Sequence, residues 1–227
     1  TGVDSSELLS LFEQTHAFPD SFHLNPKLGR ILEGRKKMVS EASSSQVIDW
    51  GFSEMLAFAS ILAGGRDIRI SGQDSIRGTF SSRHAAYYDF ETQEPYFPLK
   101  HIGNGQGQFD IYNSVLSEFG CLGFELGYSM AKREGLSIWE GQYGDFFNGA
   151  QIIFDQYVSS LYDKWEELSR LVILLPHGME GKGSEHSSAR IERHLQMASG
   201  QNWVVAFPST AGQYFHMLRR QALRELP

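Results

Sequence analysis

Two histidines, His177 and His186, stand nine residues apart in the stretch from Val172 to Glu192. Imidazole is the side chain that titrates near neutrality, so two on one loop suit proton transfer. The surrounding residues read as strand, loop and helix. Leu171–Leu175 is a short apolar run of the kind that forms a buried parallel strand, and it stops at Pro176, which has no amide to donate. The next ten residues hold three glycines, two histidines and two glutamates, after which Ser187 or Ser188 can cap a helix opening at Ala189. In open α/β sheets ligands bind where the carboxyl ends of strands meet such loops. The plainer alternative is a polar turn with surface histidines, and local pattern names no reaction.

Two further loops have the same character. Ser71-Gly72-Gln73-Asp74 follows a short strand at Asp67–Ile70 and leads through Arg77 and Gly78 to Arg83-His84. Glu140–Gly149 follows an apolar run at Leu136–Trp139 and carries Gln142, Tyr143 and Phe146. A surface turn explains the first about as well as a site does, and Tyr143 and Phe146 read locally as core aromatics. Glu118 lies at the start of a helix, where the ordinary role of a carboxylate is to offset the helix dipole. Glycines at 120, 123 and 127 interrupt that helix at about 1 kcal/mol each, which argues for a backbone packed closely against it.

The elements that position these loops alternate. Helices are expected over 5–15, with Leu8, Leu9 and Phe12 on one stripe, over 26–43, and over 48–63, ending at Gly64-Gly65. A helix follows Leu116, another runs to about Ser169, and a last one spans Thr210–Leu226. Strands near 67–70, 136–139, 171–175 and 203–207 complete the pattern. The fold class is therefore α/β, a mainly parallel sheet flanked by helices. Residues 90–110 read as irregular loop. The serine-rich 40–45 stretch reads as a linker, which divides the chain into a helical segment, 1–45, and a globular domain, 46–227.

The chain has 227 residues, 41% hydrophobic and 21% charged, with net charge −7. There is no basic field to attract nucleic acid or an anionic membrane, and no apolar run long enough to span a bilayer. Cys121 is the single cysteine, so an internal disulfide is excluded and a reducing compartment fits. No glycine-rich dinucleotide or nucleotide-phosphate loop is present. Thr1 is not a methionine, so an absent leader says little about a parent protein.

Taken in order, several long motifs resemble one family. They are Ser71-Gly72-Gln73-Asp74 with Arg77-Gly78-Thr79-Phe80 and Arg83-His84, then Leu116-Ser117-Glu118, then Gly144-Asp145-Phe146 with Asn148-Gly149-Ala150-Gln151. Pro176-His177-Gly178, Glu185-His186-Ser187-Ser188-Ala189-Arg190 and Met217-Leu218-Arg219-Arg220-Gln221 follow. From about Phe22 onward the chain resembles the pyrimidine-binding, transketolase-like central domain of the thiamine-diphosphate-dependent 2-oxoglutarate dehydrogenase component. The resemblance implies the thiamine-diphosphate-binding fold. It also implies oxidative decarboxylation of 2-oxoglutarate in the tricarboxylic acid cycle, with succinyl transfer to a lipoyl-bearing succinyltransferase core.

By the same resemblance Glu118 is the catalytic glutamate that shares a proton with the aminopyrimidine N1′ and so favours the imino tautomer. Phe146 and Tyr143 cover the pyrimidine ring, and Gln142 joins them in cofactor binding. Gln73, His84 and His186 line the substrate pocket, with His177 and His186 as catalytic histidines and His186 donating to a substrate oxygen. Asp74 and Arg77 hold their loop through charge-assisted bonds. No metal ligands are expected here, because Mg2+ and the diphosphate belong to a diphosphate domain that, with the carboxyl-terminal domain, is missing from this sequence. The site is then shared with the partner subunit of a homodimer, and this chain alone is expected to be inactive. The resemblance fits a bacterial cytoplasm or a mitochondrial matrix. Gly141, Ser184 and the glycine- and glutamine-rich 101–109 loop depart from the family pattern and leave loop rigidity and allosteric control open. Two other readings stay open: a 2-oxoadipate substrate, since one methylene changes discrimination by about 1–3 kcal/mol, and a non-catalytic dimerisation domain.

Overall fold

The structure is a computed structural model that describes residues 2–40, 48–178, 183 and 186–224. In chain order the helices are α1 (Ser5–Thr15), α2 (Pro26–Ser40), α3 (Trp50–Ala63), α4 (Glu118–Ala131), α5 (Gln151–Gln156), α6 (Leu161–Trp165), α7 (Ile191–Met197) and α8 (Ala211–Leu223). The strands are β1 (Ile68–Gly72), β2 (Tyr87–Tyr88), β3 (Pro95–Tyr96), β4 (Phe109–Asn113), β5 (Leu136–Glu140) and β6 (Val172–Leu174). These elements form two compact units, one made of residues 1–67, 76–109 and 208–223, the other of 68–75, 110–207 and 224–227.

The first unit is built on α3. Asp49 caps it, its carboxylate accepting from the amide of Phe52 at 2.6 Å, and every residue from Gly51 to Leu62 is buried. Phe12 of α1 meets Phe52 edge-on at 5.5 Å, which seats α1 on α3. On another side Ser53 Oγ donates to the Ala211 carbonyl at 2.5 Å and Arg219 donates to Ser60 Oγ at 2.5 Å, fastening α8. The loop after residue 100 is organised by one side chain. Gln106 accepts from the amides of Ile102 and Gly103 and donates to the carbonyl of Leu99.

The second unit holds a four-stranded sheet in the order β4-β1-β5-β6. β1 runs parallel to β5, Ile68 opposite Leu136 and Gly72 opposite Glu140, and β5 runs parallel to β6, Ile138 opposite Val172. Ile68, Ile70, Leu136 and Ile138 are buried on one face and Ser71, Ser137 and Trp139 on the other, as strands covered on both faces require. Leu122 and Leu126 of α4 pack with Trp139, Phe147 and Phe154 into one core. Because β1, β5 and β6 are parallel, the loops that follow them leave the sheet at one end. That end carries Gln73, Gln142 and His177.

Several expectations are corrected. Strand β4, Phe109–Asn113, begins inside the stretch 90–110 expected as loop, and within that stretch Pro95–Tyr96 pairs antiparallel with Tyr87–Tyr88. Trp203–Phe207, expected as a strand, joins no ladder, and Val204 and Phe207 are exposed, so its apolar residues do not mark a buried strand. The helix expected after Gly149 and running to about Ser169 is split into α5 and α6 by a 3₁₀ turn at Val158–Ser160 and ends at Trp165, while the loop before it closes in a 3₁₀ turn at Gly144–Ala150. α7 opens at Ile191 rather than Ala189. Its cap position, Arg190, is left-handed at φ 51 with no side-chain cap, and Ser188 Oγ accepts from the Arg190 amide instead. Leu9, placed on the inward stripe of α1, is exposed, while Leu11 and Phe12 are buried. The expected serine-rich linker lies mostly outside the described residues.

Candidate functional site

A cleft of about 340 Å³ opens at the carboxyl ends of β1 and β5. Gln73, Glu118, Gln142, Trp139 and Cys121 are among its lining residues. Its shape depends on Gly72, whose backbone lies so close to the Glu140 carbonyl that a methyl group would overlap it. Glu118 is the first residue of α4 and half-buried, with Ser117 as N-cap accepting from the Gly120 amide at 3.5 Å. Across from it the Gly149 backbone approaches its carboxylate, where an added Cβ would stand 2.9 Å from Oε2.

The loops after β5 and β6 are stitched together. Gly141 N–H donates to the Leu174 carbonyl at 2.9 Å and Gly144 N–H to the Pro176 carbonyl at 2.9 Å. Asp145 accepts from the Ser188 amide at 2.7 Å, and Gly178 N–H donates to the Ser187 carbonyl at 2.9 Å. His177 Nδ1 accepts from the Ala189 amide at 2.9 Å. An acceptor nitrogen carries no proton, so neutral His177 holds its proton on Nε2. Tyr143, Phe146 and His186 form one edge-to-face cluster, His186 lying 4.5 Å from Tyr143 and 5.5 Å from Phe146 between ring centroids.

The structure thus brings Gln73, Glu118 and Gln142 to one cleft and groups Tyr143, Phe146 and His186 beside it in sequence, with His177 on the adjoining loop. His84 belongs to the first unit. It is left-handed at φ 50, its imidazole bonds the Ser81 carbonyl, and Nε2 is buried with no hydrogen-bond partner among the described residues. Burial, reinforced by the positive charges of Arg35 and Arg77, holds its pKa below the usual histidine value.

Among the described residues, no backbone beyond the helix's own lies where a Cβ on an α4 glycine would stand. A Cβ added to Gly123 would lie 3.4 Å from the Ile153 side chain, one on Gly120 would lie 3.5 Å from Leu116, and one on Gly127 would meet nothing within 4 Å. Phe119 and Phe124 of the same helix are exposed.

The family described as "Transketolase, pyrimidine binding domain" matches residues 46–227. The chain belongs to that family. Among curated proteins, this chain is 50% identical over 222 residues to the 2-oxoglutarate dehydrogenase E1 component of Shouchella clausii. It is 49% identical over 224 residues to the protein of that name from Coxiella burnetii, and 47% over 226 residues to that from Rickettsia typhi. These matches take in 98–100% of this chain but only 23–24% of each relative, so the chain spans about a quarter of their length.

The pyrimidine-binding domain also holds polar residues that sequence reasoning passed over. Ser71 Oγ lies 3.1 Å from the buried Cys121 thiol, and Nε–H of Arg69 donates to both oxygens of the buried Glu125 at 2.8 and 3.0 Å. Glu54, 5% exposed, pairs with Arg83. The signal for Glu54 was available, as one carboxylate in an otherwise apolar helical run, but its partner is 29 residues away. Among the described residues no three His, Cys, Asp or Glu side chains converge as a metal-binding group, and no helix is long and apolar enough to cross a membrane.

Proposed function

We propose that this chain is the pyrimidine-side half of a thiamine-diphosphate site in a 2-oxoglutarate dehydrogenase, which decarboxylates 2-oxoglutarate and passes the succinyl group to a lipoyl-lysine. The observation that carries the reading is the Glu118 carboxylate, held at the first turn of α4 and facing a cleft at the ends of parallel strands. The residues present fit an aminopyrimidine. The Gly149 backbone leaves space beside the carboxylate that a Cβ would fill, and a flat ring needs the aromatic wall that Tyr143 and Phe146 supply.

When bound, thiamine diphosphate supplies the electron sink for decarboxylation. Glu118 holds or shares the proton at N1′ of the pyrimidine, and Phe146 with Tyr143 and Gln142 orients the ring and excludes water. Nε2–H of His177 and the imidazole of His186 are donors to the oxygens of the 2-oxo acid, and Gln73 and His84 complete the substrate pocket. Mg2+ and the diphosphate are assigned to a separate domain. A second copy of the protein completes the site, a reading supported by the open face of α4 at Gly127 and the exposed Phe119 and Phe124. Residues 1–45, which carry α1 and α2, serve as a lead-in to this domain.

The test is hydrogen–deuterium exchange at the thiazolium carbon of thiamine diphosphate bound to the full-length protein, wild type against Glu118→Ala. A loss of exchange by about a hundredfold or more is expected, in line with the 10²–10⁴-fold that a positioned proton-transfer group contributes. Unchanged exchange with cofactor still bound removes Glu118 from this role.

A further inference from the structure

The reading above leaves Glu54 without a task. It sits one turn after Gly51 on the buried helix α3, and both of its oxygens are used. Oε1 accepts from Arg83 Nε at 2.5 Å, while Oε2 accepts from Arg83 Nη2 at 3.1 Å and from the Tyr214 hydroxyl at 2.6 Å. Taking such a pair out of water offsets much of its attraction, and apolar residues of similar volume commonly do as well, so stability alone is a weak reason for it.

What the pair grips is a strained loop. Gly78, Phe80, Ser81 and His84 all have positive φ, at 77, 61, 56 and 50°. For each of the three non-glycine residues this backbone is strained and persists only where its surroundings dictate it. The neck of the loop is closed by the amides of Arg83 and His84, which both donate to the Arg77 carbonyl, and by Ala85 N–H to the Ile76 carbonyl. Along α3, Gly51 lets the Ser82 carbonyl approach closer than any side chain would permit. Helix α3 therefore holds Ser82 through Gly51 and Arg83 through Glu54, and these are the two residues that precede His84.

We propose that Glu54 is a positioning residue for His84: gripping Arg83 from both oxygens, and braced by Tyr214, it fixes the left-handed backbone that sets the direction of the imidazole Nε2. This rests on the assignment of His84 to the substrate pocket. Glu54 itself is buried beneath the loop and acts only through Arg83.

A double-mutant cycle in the full-length protein tests it, with kcat/KM for 2-oxoglutarate read by ferricyanide reduction and thiamine diphosphate affinity read by calorimetry. Glu54→Gln is expected to lower kcat/KM about 10- to 100-fold, the cost of a displacement on the order of 1 Å, with cofactor affinity unchanged. In a His84→Ala background the same substitution is expected to cost less than about threefold, because the group it positions is gone. Equal losses in both backgrounds overturn the proposal while leaving His84 in the pocket. A His84→Ala enzyme with wild-type kcat/KM overturns the assignment of His84, and this proposal with it. If Glu54→Gln shows no cooperative melting transition, Tyr214→Phe, which spares the Arg83 pair, carries the same cycle. Its loss, too, must vanish when His84 is absent, or the proposal fails.

Discussion

A Cβ added to Gly149 would stand 2.9 Å from Oε2 of Glu118 and 3.3 Å from its Cβ. Gly149 is itself exposed, so an added methyl has room on its outer side and the carboxylate is the group that yields. Gly149→Ala is therefore expected to leave the melting temperature nearly unchanged while weakening thiamine diphosphate binding to the full-length protein about tenfold, equivalent to about 1.4 kcal/mol. Calorimetric titration reads this directly, and unaltered affinity with an unaltered fold would show that the carboxylate does not need its present position.

Gly144 presents the opposite case. An added Cβ would meet Ala189 Cβ at 2.5 Å, Ala189 Cα at 2.6 Å and the Pro176 carbonyl at 2.7 Å, all in backbone or short side chains that cannot swing aside. Gly144→Ala forces apart the loops after β5 and β6, and overpacking of this kind costs about 1–3 kcal/mol. A lower denaturant midpoint is expected, and Ala189→Gly in the same chain should restore part of it, since it removes one of the clashing atoms.

Acid should weaken the fold through His16. Burial, aided by the nearby charges of Arg35 and Lys36 and opposed by a bond to the Phe12 carbonyl, takes its pKa from 6.5 down to about 4. A histidine with a depressed folded pKa is favoured in its neutral form. Its contribution is complete above about pH 6.5 and is lost as the pH falls toward 4. Allowing for partial solvent screening, this amounts to about 1–2 kcal/mol. Denaturant titrations of wild type and His16→Gln at pH 7 and pH 4.5 isolate the effect. The variant is expected to lose less stability between the two, and parallel losses would exclude His16 as the source.

Arg69 lies between the rings of Tyr112, Phe124 and Tyr128, at 4.6, 4.9 and 4.8 Å from their centroids, while Glu125 holds its guanidinium. Glu125 is 1% exposed, and burial raises its pKa against the opposing pull of Ser71 and Arg69. Glu125→Ala strands a largely buried cation and is expected to destabilise by about 3 kcal/mol. The double variant Arg69→Met/Glu125→Leu should recover much of that loss, because it removes both desolvation penalties. A double variant as unstable as the single one would mean that the pair contributes more than it costs.

The parts of this protein that read correctly from sequence are those set by near neighbours. The alternation of β1, the apolar runs of β5 and β6, the capped start of α4 with Glu118 and the amphipathic α8 all follow from local periodicity and end signals, which is why an α/β chain with loops at strand ends was legible. The motifs around Gln73, Gln142 and His186 could be recognised because each lies within one loop. Where partners are distant, sequence was silent or misleading. Phe109–Asn113 became a strand through the edge of β1 that it found, while the more apolar Trp203–Phe207 found no edge and formed no ladder. Backbone hydrogen bonds between strands are long-range, so hydrophobicity alone does not determine who pairs with whom. The α7 start moved because Asp145 and His177 took the amides of Ser188 and Ala189, the residues that local capping rules would have used. Glu54 acquired its meaning only when folding delivered Arg83 and Tyr214 to it, since a buried carboxylate is defined by the donors that reach it and these come from elsewhere in the chain.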